Sequence, residues 1–188
     1  MSQPLEVNEH REHAEHGAHD PFVGRVSITI AVLAVLAAVT NSLEQLETAQ
    51  AITDSSRAVL AQSEASDQWA FYQAKSMKKH IYTLAADEGY PNADKYRKTA
   101  AKEAADGDAI TRQAQAFEKK REAYNEDVDR HETRHHRLAA GATLIEIGIA
   151  IATVAIITRR NAWWLASALL GAGGAALAAG AYLGVGLF

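Results

Sequence analysis

Cysteine is absent from this chain, which excludes disulfide staples, thiolate metal knots and thiol nucleophiles. Proline occurs only three times in 188 residues, so few positions force a helix to stop. No groove of basic residues interleaved with aromatics is visible, and the formal net charge of -4 gives no reason to expect a nucleic-acid partner. Also missing are a nucleophile–base constellation and a glycine loop that would cradle a phosphate. The expectation is a protein that is not an enzyme and carries no cofactor.

What is present is segregation. Apolar residues make up 48% of the chain and collect in three blocks, 22–43, 138–157 and 162–188, while charged residues fill 1–21 and 44–137. Each block has roughly the eighteen to twenty-five residues that a helix needs to cross hydrocarbon. Three transmembrane helices are predicted. The first block could be mistaken for a cleaved signal peptide. The stretch before it is long and acidic rather than short and basic, so retention as an anchor is expected.

The polar insert between the first two blocks is rich in Ala, Glu, Lys and Gln, with one strong breaker, "DEGYPNAD" at 87–94. Pro91 ends a helix, Gly89 and Asn92 suit a reversal, and Asp94 can cap the second arm. The turn leaves arms of about 45 and 44 residues, Glu44–Glu88 and Asp94–Arg137. Matched arms are what a hairpin with both feet in one membrane requires. At about 1.5 Å per residue they would reach roughly 65 Å from the bilayer.

The second arm carries Tyr96, Ala100, Gly107, Ile110, Ala114, Phe117, Tyr124 and Val128 at coiled-coil spacing, continuing through His131, His135 and Leu138. The first arm repeats that rhythm in Ile52, Ser56, Val59, Ser63, Ala70, Met77 and Leu84, and these residues are expected to form the facing half of the seam. The fold class is therefore all-α: three transmembrane helices with a long antiparallel, coiled-coil-like helical hairpin inserted between the first and second spans. The chain divides into a tail (1–21), span 1 (22–43), the hairpin (44–137, turning at 87–94), span 2 (138–157), a basic loop (158–161) and span 3 (162–188).

Arg25 lies at the start of the first span, Glu44 and Glu47 come after it, and Arg159 and Arg160 lie between the second and third. The positive-inside rule then places the N-terminus in the cytoplasm and the hairpin outside it.

The segment "EASDQWAFYQAKSMKKHIY", Glu64 to Tyr82, adds to this reading, especially at Trp69, Phe71, Tyr72, Gln73 and Lys75. It resembles the signature stretch of the bacterial membrane-protein family catalogued as domain of unknown function 4337. Members of that family are similar in layout too, with an acidic His-rich tail, one early span, a long charged helical insert and closing spans. The resemblance implies a bacterial inner-membrane setting and transfers no catalytic role to any residue.

Several residues stand out against this frame. In the tail, His10, His13, His16 and His19 alternate with carboxylates and could take Zn, Ni or Cu. Gly17, Asp20 and Pro21 work against fixed geometry there, so a solvated, titrating tail is the preferred reading. Trp69, Phe71 and Tyr72 would lie opposite Ile110, Ala114 and Phe117, and the preferred reading is a hydrophobic knot that fixes the hairpin's register. Adjacent positions cannot all face one helix, so at least one aromatic is expected to point to another subunit or envelope protein.

Arg130, Arg134 and Arg137 in "RHETRHHR", with Arg159 and Arg160, read as anchors for lipid headgroups. His131 and His135 in the same stretch could instead sense pH. "ADGDA" at 105–109 lacks the later ligands of a calcium loop.

Glu146 is the one carboxylate inside a predicted span. Its helical face includes Ala139, Ala142, Thr143, Ala150 and Thr153, small or hydroxyl-bearing residues suited to a protein interface. The third span offers a matching small surface of Ser167, Gly171, Gly174, Ala178 and Ala181. An ionised carboxylate at that depth costs several kcal/mol, so it is either protonated and clasped or lines water. The first functional expectation is thus a membrane scaffold that assembles as a homo-oligomer in contact with lipid and presents its hairpin to other envelope proteins. The second is an oligomeric proton or cation channel using Glu146, Thr143 and Thr153, and the third is metal binding by the tail.

Overall fold

A computed structural model describes residues 20–183. These form three helices and, among the described residues, no strand: α1 (Pro21–Asp87), α2 (Ala93–Thr158) and α3 (Asn161–Leu183). Each contains a stretch long and apolar enough to cross a membrane.

Local chemistry explains the ends. The Phe22 amide donates to Asp20 Oδ1 at 2.9 Å, and Pro21 occupies the first helical position, where its missing N–H is not needed. α1 then runs 67 residues to Asp87. Between α1 and α2, Gly89 and Asn92 adopt left-handed conformations, with φ of 74° and 76°. Glycine adopts that region freely and Asn more readily than most residues. The amides of Lys95 and Tyr96 donate to the Asn92 carbonyl, so α2 begins one residue before Asp94. Asp94 therefore sits inside the first turn, where its charge favours the helix N-terminus and meets Arg97 at 3.4 Å. Between α2 and α3 only Arg159 and Arg160 intervene, the former at φ 49°.

The boundaries that hydropathy places at 43/44 and 137/138 fall inside helices. α1 and α2 pass through them unbroken, because a change from apolar to polar side chains leaves the backbone hydrogen-bond ladder intact. The chain nevertheless forms two compact units, one from the described residues up to Thr48 and from His131 onward, the other Ala49–Arg130.

In the first unit the three helices close on small residues. A Cβ on Gly174 would stand 2.5 Å from the Gly141 carbonyl oxygen, one on Gly148 would stand 3.1 Å from that of Ser167, and one on Gly171 would collide with Leu33. Glycine here is what lets backbone meet backbone. Ser167, Gly171, Gly174 and Ala181 are buried, so the small surface of α3 does pack. Beside this seam Leu33, Ala37 and Ile145 form one apolar cluster and Val26, Ala152 and Ala155 another. The indole N–H of Trp164 donates to Thr29 Oγ1 at 3.0 Å, which satisfies a polar group among apolar ones.

In the second unit, α2 buries Ala100, Gly107, Ile110 and Ala114, the stripe read from the sequence. α1 contributes a different face from the one expected. Asp54, Ala58, Ala61, Ala65 and Ala86 are buried, whereas Ile52, Ser56, Val59, Ser63, Ala70, Met77 and Leu84 are exposed, Val59 at 68%. The expected first-arm seam points outward. The two faces lie on opposite sides of one helix, and alanine wins the inner side because it permits closer helix approach than Val, Met or Leu.

Polar and aromatic pairs join the helices along their length. Arg57 lies 6.0 Å from the Tyr124 ring, Gln62 Oε1 accepts from Arg121 at 2.8 Å, and Trp69 Nε1 donates to Glu118 at 2.9 Å. Further along, Lys75 meets Glu103 at 2.8 Å and Asp106 at 2.9 Å, and Tyr82 stacks on Tyr96 at 6.2 Å. The hydrogen bonds that Lys75 donates to Glu103 and Asp106 raise its amine above the ordinary range, and the bond to Asp106 lowers that carboxyl.

Candidate functional site

The best-built polar site is a carboxylate that joins all three helices. Glu47, on α1 four residues beyond the predicted end of the first span, is only 2% exposed. A buried carboxylate needs donors, since losing water without replacement costs several kcal/mol. Each neighbouring helix supplies one. From α2, His131 Nδ1 lies 2.5 Å from Glu47 Oε2. From α3, the Tyr182 hydroxyl donates to Oε1 at 2.8 Å.

Arg134, one turn beyond His131 on α2, brings its guanidinium to 3.8 Å from the same Oε1 and to 5.5 Å from the Tyr182 ring. The ring is thus held through both its hydroxyl and its face. Burial pushes the Glu47 carboxyl up, but the hydrogen bonds of His131 and Tyr182 and the positive charge of Arg134 outweigh that, and its pKa falls below the ordinary 4.5. Glu47 is therefore ionised at neutral pH.

A second, more open layer surrounds the first. Thr48 Oγ1 donates to the Glu44 carbonyl at 3.0 Å and lies 3.1 Å from His135 Nδ1, which is also 3.7 Å from the Glu44 carboxylate. Arg137 reaches the Gly180 carbonyl on α3 at 3.4 Å. The cluster can hold charge and fix the end of α3.

The sequence-predicted residues fall in and around this cluster. Arg134 and Arg137 turn toward Glu47, Tyr182 and Gly180. Arg130 pairs with Asp127, Arg159 lies 3.6 Å from Asp20, and both they and Arg160 are exposed. Glu146 accepts from Asn41 Nδ2 at 3.3 Å. Asn41 belongs to the last turns of the first apolar block. Glu146, Thr143 and Thr153 are exposed in the single chain, and α2 packs instead through Leu138, Ala142, Ile145 and Ala152. Thr143 and Thr153 donate to the Ala139 and Ile149 carbonyls of their own helix.

Of the three aromatics, Trp69 and Tyr72 are half-buried, edge to face at 5.8 Å, with Tyr72 against Gly107, while Phe71 is 52% exposed. His10, His13, His16 and His19 lie outside the described residues. Among the described residues no group of three or more metal-ligating side chains converges.

Sequence reasoning counted Glu47 only as a charge beside a span and passed over Tyr182. A signal for the first existed: a pair of acids, Glu44 and Glu47, just after one apolar block, facing His131 and His135 just before the next. Tyr182 carries no such signal, because its height depends on where α3 starts.

The fold and this cluster define an all-helical protein with three helices capable of crossing a membrane, tied together at one buried carboxylate. The chain belongs to the family described as Domain of unknown function (DUF4337), whose family model matches residues 22–184. Among curated proteins and solved structures none matches it.

Proposed function

We propose that this protein is a non-catalytic scaffold of the bacterial inner membrane that self-assembles and presents residues 49–130 as an antiparallel helical hairpin to other envelope proteins. One observation carries the reading. α1 and α2 each join a span-length apolar stretch to a polar stretch without a break, so the polar segment is mounted on the spans by continuous backbone rather than tethered by linkers. The hairpin itself is supported by the order of its pairs: partners of Arg57, Gln62, Trp69, Lys75 and Tyr82 descend along α2 from Tyr124 to Tyr96. The Glu47 cluster serves in this reading as the clasp that fixes α3 against the bases of the two long helices.

The orientation rests on charge, with the N-terminus cytoplasmic and the hairpin outside. The absence of Cys makes the test direct. Single cysteines at Ser2, Gln113 and Asn161 are labelled in intact cells with a membrane-impermeant thiol reagent, and the purified protein is sized in mild detergent. Labelling at Gln113 alone and an oligomeric mass are expected. Labelling at Ser2 and Asn161 but not Gln113 inverts the orientation, and a strict monomer at high concentration removes self-assembly from the reading.

A further inference from the structure

The two ends of the first unit use their charges differently. At one end the buried Glu47 faces Arg134 and His131 across the helices. At the other, residues 20–43 and 147–183 contain only four charged side chains, Asp20, Arg25, Arg159 and Arg160, a net charge of +2. Both oxygens of Asp20 are engaged. Its Oδ1 accepts from the Phe22 amide at 2.9 Å, and its Oδ2 lies 3.6 Å from Arg159. Among the described residues Arg25 and Arg160 have no carboxylate partner.

Arg25 is nonetheless held in place. Its Cζ stands 5.6 Å from the Trp164 ring and 6.0 Å from the Phe22 ring, within the range of a cation–π contact, and its Nε donates to the Pro21 carbonyl at 3.3 Å. The larger ring is fixed in turn: Trp164 Nε1 donates to Thr29 Oγ1, which donates to the Arg25 carbonyl, both at 3.0 Å. The two terminal nitrogens of Arg25 make no hydrogen bond among the described residues. A guanidinium fixed in this way presents a planar fork of donors, which matches two oxygens of one phosphate better than an ammonium does.

Three points select the ligand. First, α1 and α3 are each apolar enough to cross a membrane, and Arg and Trp at the ends of such helices lie at the depth of the lipid headgroups. Second, Ile28 and Val32 follow Arg25 at helical spacing and are 67% and 53% exposed. A long side chain on a helix leans toward the N-terminus, so the fork reaches outward while these two residues offer an apolar strip below it, where an acyl chain can lie. A free anion has no use for that strip. Third, a zwitterionic headgroup carries an ammonium that needs a carboxylate, and Asp20 is already taken. The site therefore favours a headgroup of net negative charge.

We propose that Arg25, Arg160 and Trp164 form a binding site for the headgroup of an anionic phospholipid, with its acyl chain along Ile28 and Val32. The inference rests on the reading of α1 and α3 as membrane spans and not on self-assembly or orientation.

The test uses the full-length protein in vesicles of an anionic and a zwitterionic phospholipid in equal amounts, with bromine on the acyl chains of one or the other. Bromine quenches indole fluorescence on contact, so the two mixtures report which lipid sits against Trp163 and Trp164, over a common background from Trp69 in the other unit. Each uncompensated Arg near a membrane surface contributes about fivefold, so the expected preference for the anionic lipid is on the order of twentyfold. Arg160→Gln, at an exposed residue, lowers it by about fivefold, as does Arg25→Gln. Arg25→Lys keeps the charge but loses the fork, and falls between. Arg130→Gln, which removes one charge from the other unit, leaves the preference unchanged.

Equal quenching by both brominated lipids, or a loss in Arg130→Gln as large as in Arg25→Gln, overturns the site and leaves the spans in the bilayer. Quenching by neither lipid overturns the membrane reading with it. Inorganic phosphate that abolishes the preference, where chloride at the same ionic strength does not, assigns the fork to a free anion and likewise overturns the lipid.

Discussion

Replacing Tyr182 by Phe removes one oxygen and leaves the ring in place against Arg134. The lost interaction is the 2.8 Å hydrogen bond to a carboxylate that is 2% exposed. Hydrogen bonds to charged groups contribute about 1.5–3 kcal/mol, and Glu47 loses one donor of two while water has poor access. The expected destabilisation of the α3 attachment is about 2 kcal/mol, read as a shift in reversible denaturant unfolding in detergent micelles. A double-mutant cycle with Glu47→Gln isolates the bond. In the Glu47→Gln background Tyr182→Phe should cost less than about 0.5 kcal/mol, because a neutral amide accepts more weakly than a carboxylate.

The pH dependence has a definite sign. The Glu47 pKa is lower in the folded protein than its ordinary value of 4.5, so the stabilisation from its ionised form is fully present above about 4.5. It is lost as pH falls from there through the folded value. Wild type therefore weakens in acid, and Glu47→Gln flattens the curve in that window. A cycle in which the two substitutions add independently, or equal acid sensitivity in Glu47→Gln, refutes the clasp.

Two other substitutions probe the packing. Gly174→Ala places a methyl group 2.5 Å from the Gly141 carbonyl oxygen and 2.9 Å from Ile145 Cγ1, and separating α2 from α3 should cost about 1–3 kcal/mol. Gly173→Ala meets nothing within 4 Å and should be neutral in the same unfolding measurement. In the other unit, Trp69→Phe removes the 2.9 Å bond to Glu118 and should destabilise by about 1.5–3 kcal/mol, with amide exchange accelerated over residues 65–75 and 110–120.

Element type and position were legible in the sequence because the relevant signals are local. Long apolar runs, one Pro-centred turn and a scarcity of breakers specify three helices, and the glycines and small residues of α3 announce close packing. The choice of face on α1 was not legible. Amphipathic reading assumes one buried face and assigns it to the larger apolar residues, whereas α1 has two nonpolar faces and α2 takes Ala58, Ala61 and Ala65. The same limit hid the clasp. Glu47, His131 and Tyr182 come together only through the relative heights of three helices, which depend on the seat of Gly174 against Gly141 and not on any spacing along the chain.

Tyr182 lies 135 positions after Glu47. Chains emerge N-terminus first, so for most of its synthesis the protein holds a carboxylate one of whose donors does not yet exist. His131 can meet Glu47 as soon as α2 is made, but the carboxylate is fully satisfied only when the last turns of α3 arrive. The clasp thus marks completion. A chain truncated before residue 182, or one whose third helix fails to insert, keeps an under-satisfied charge at the base of its helices.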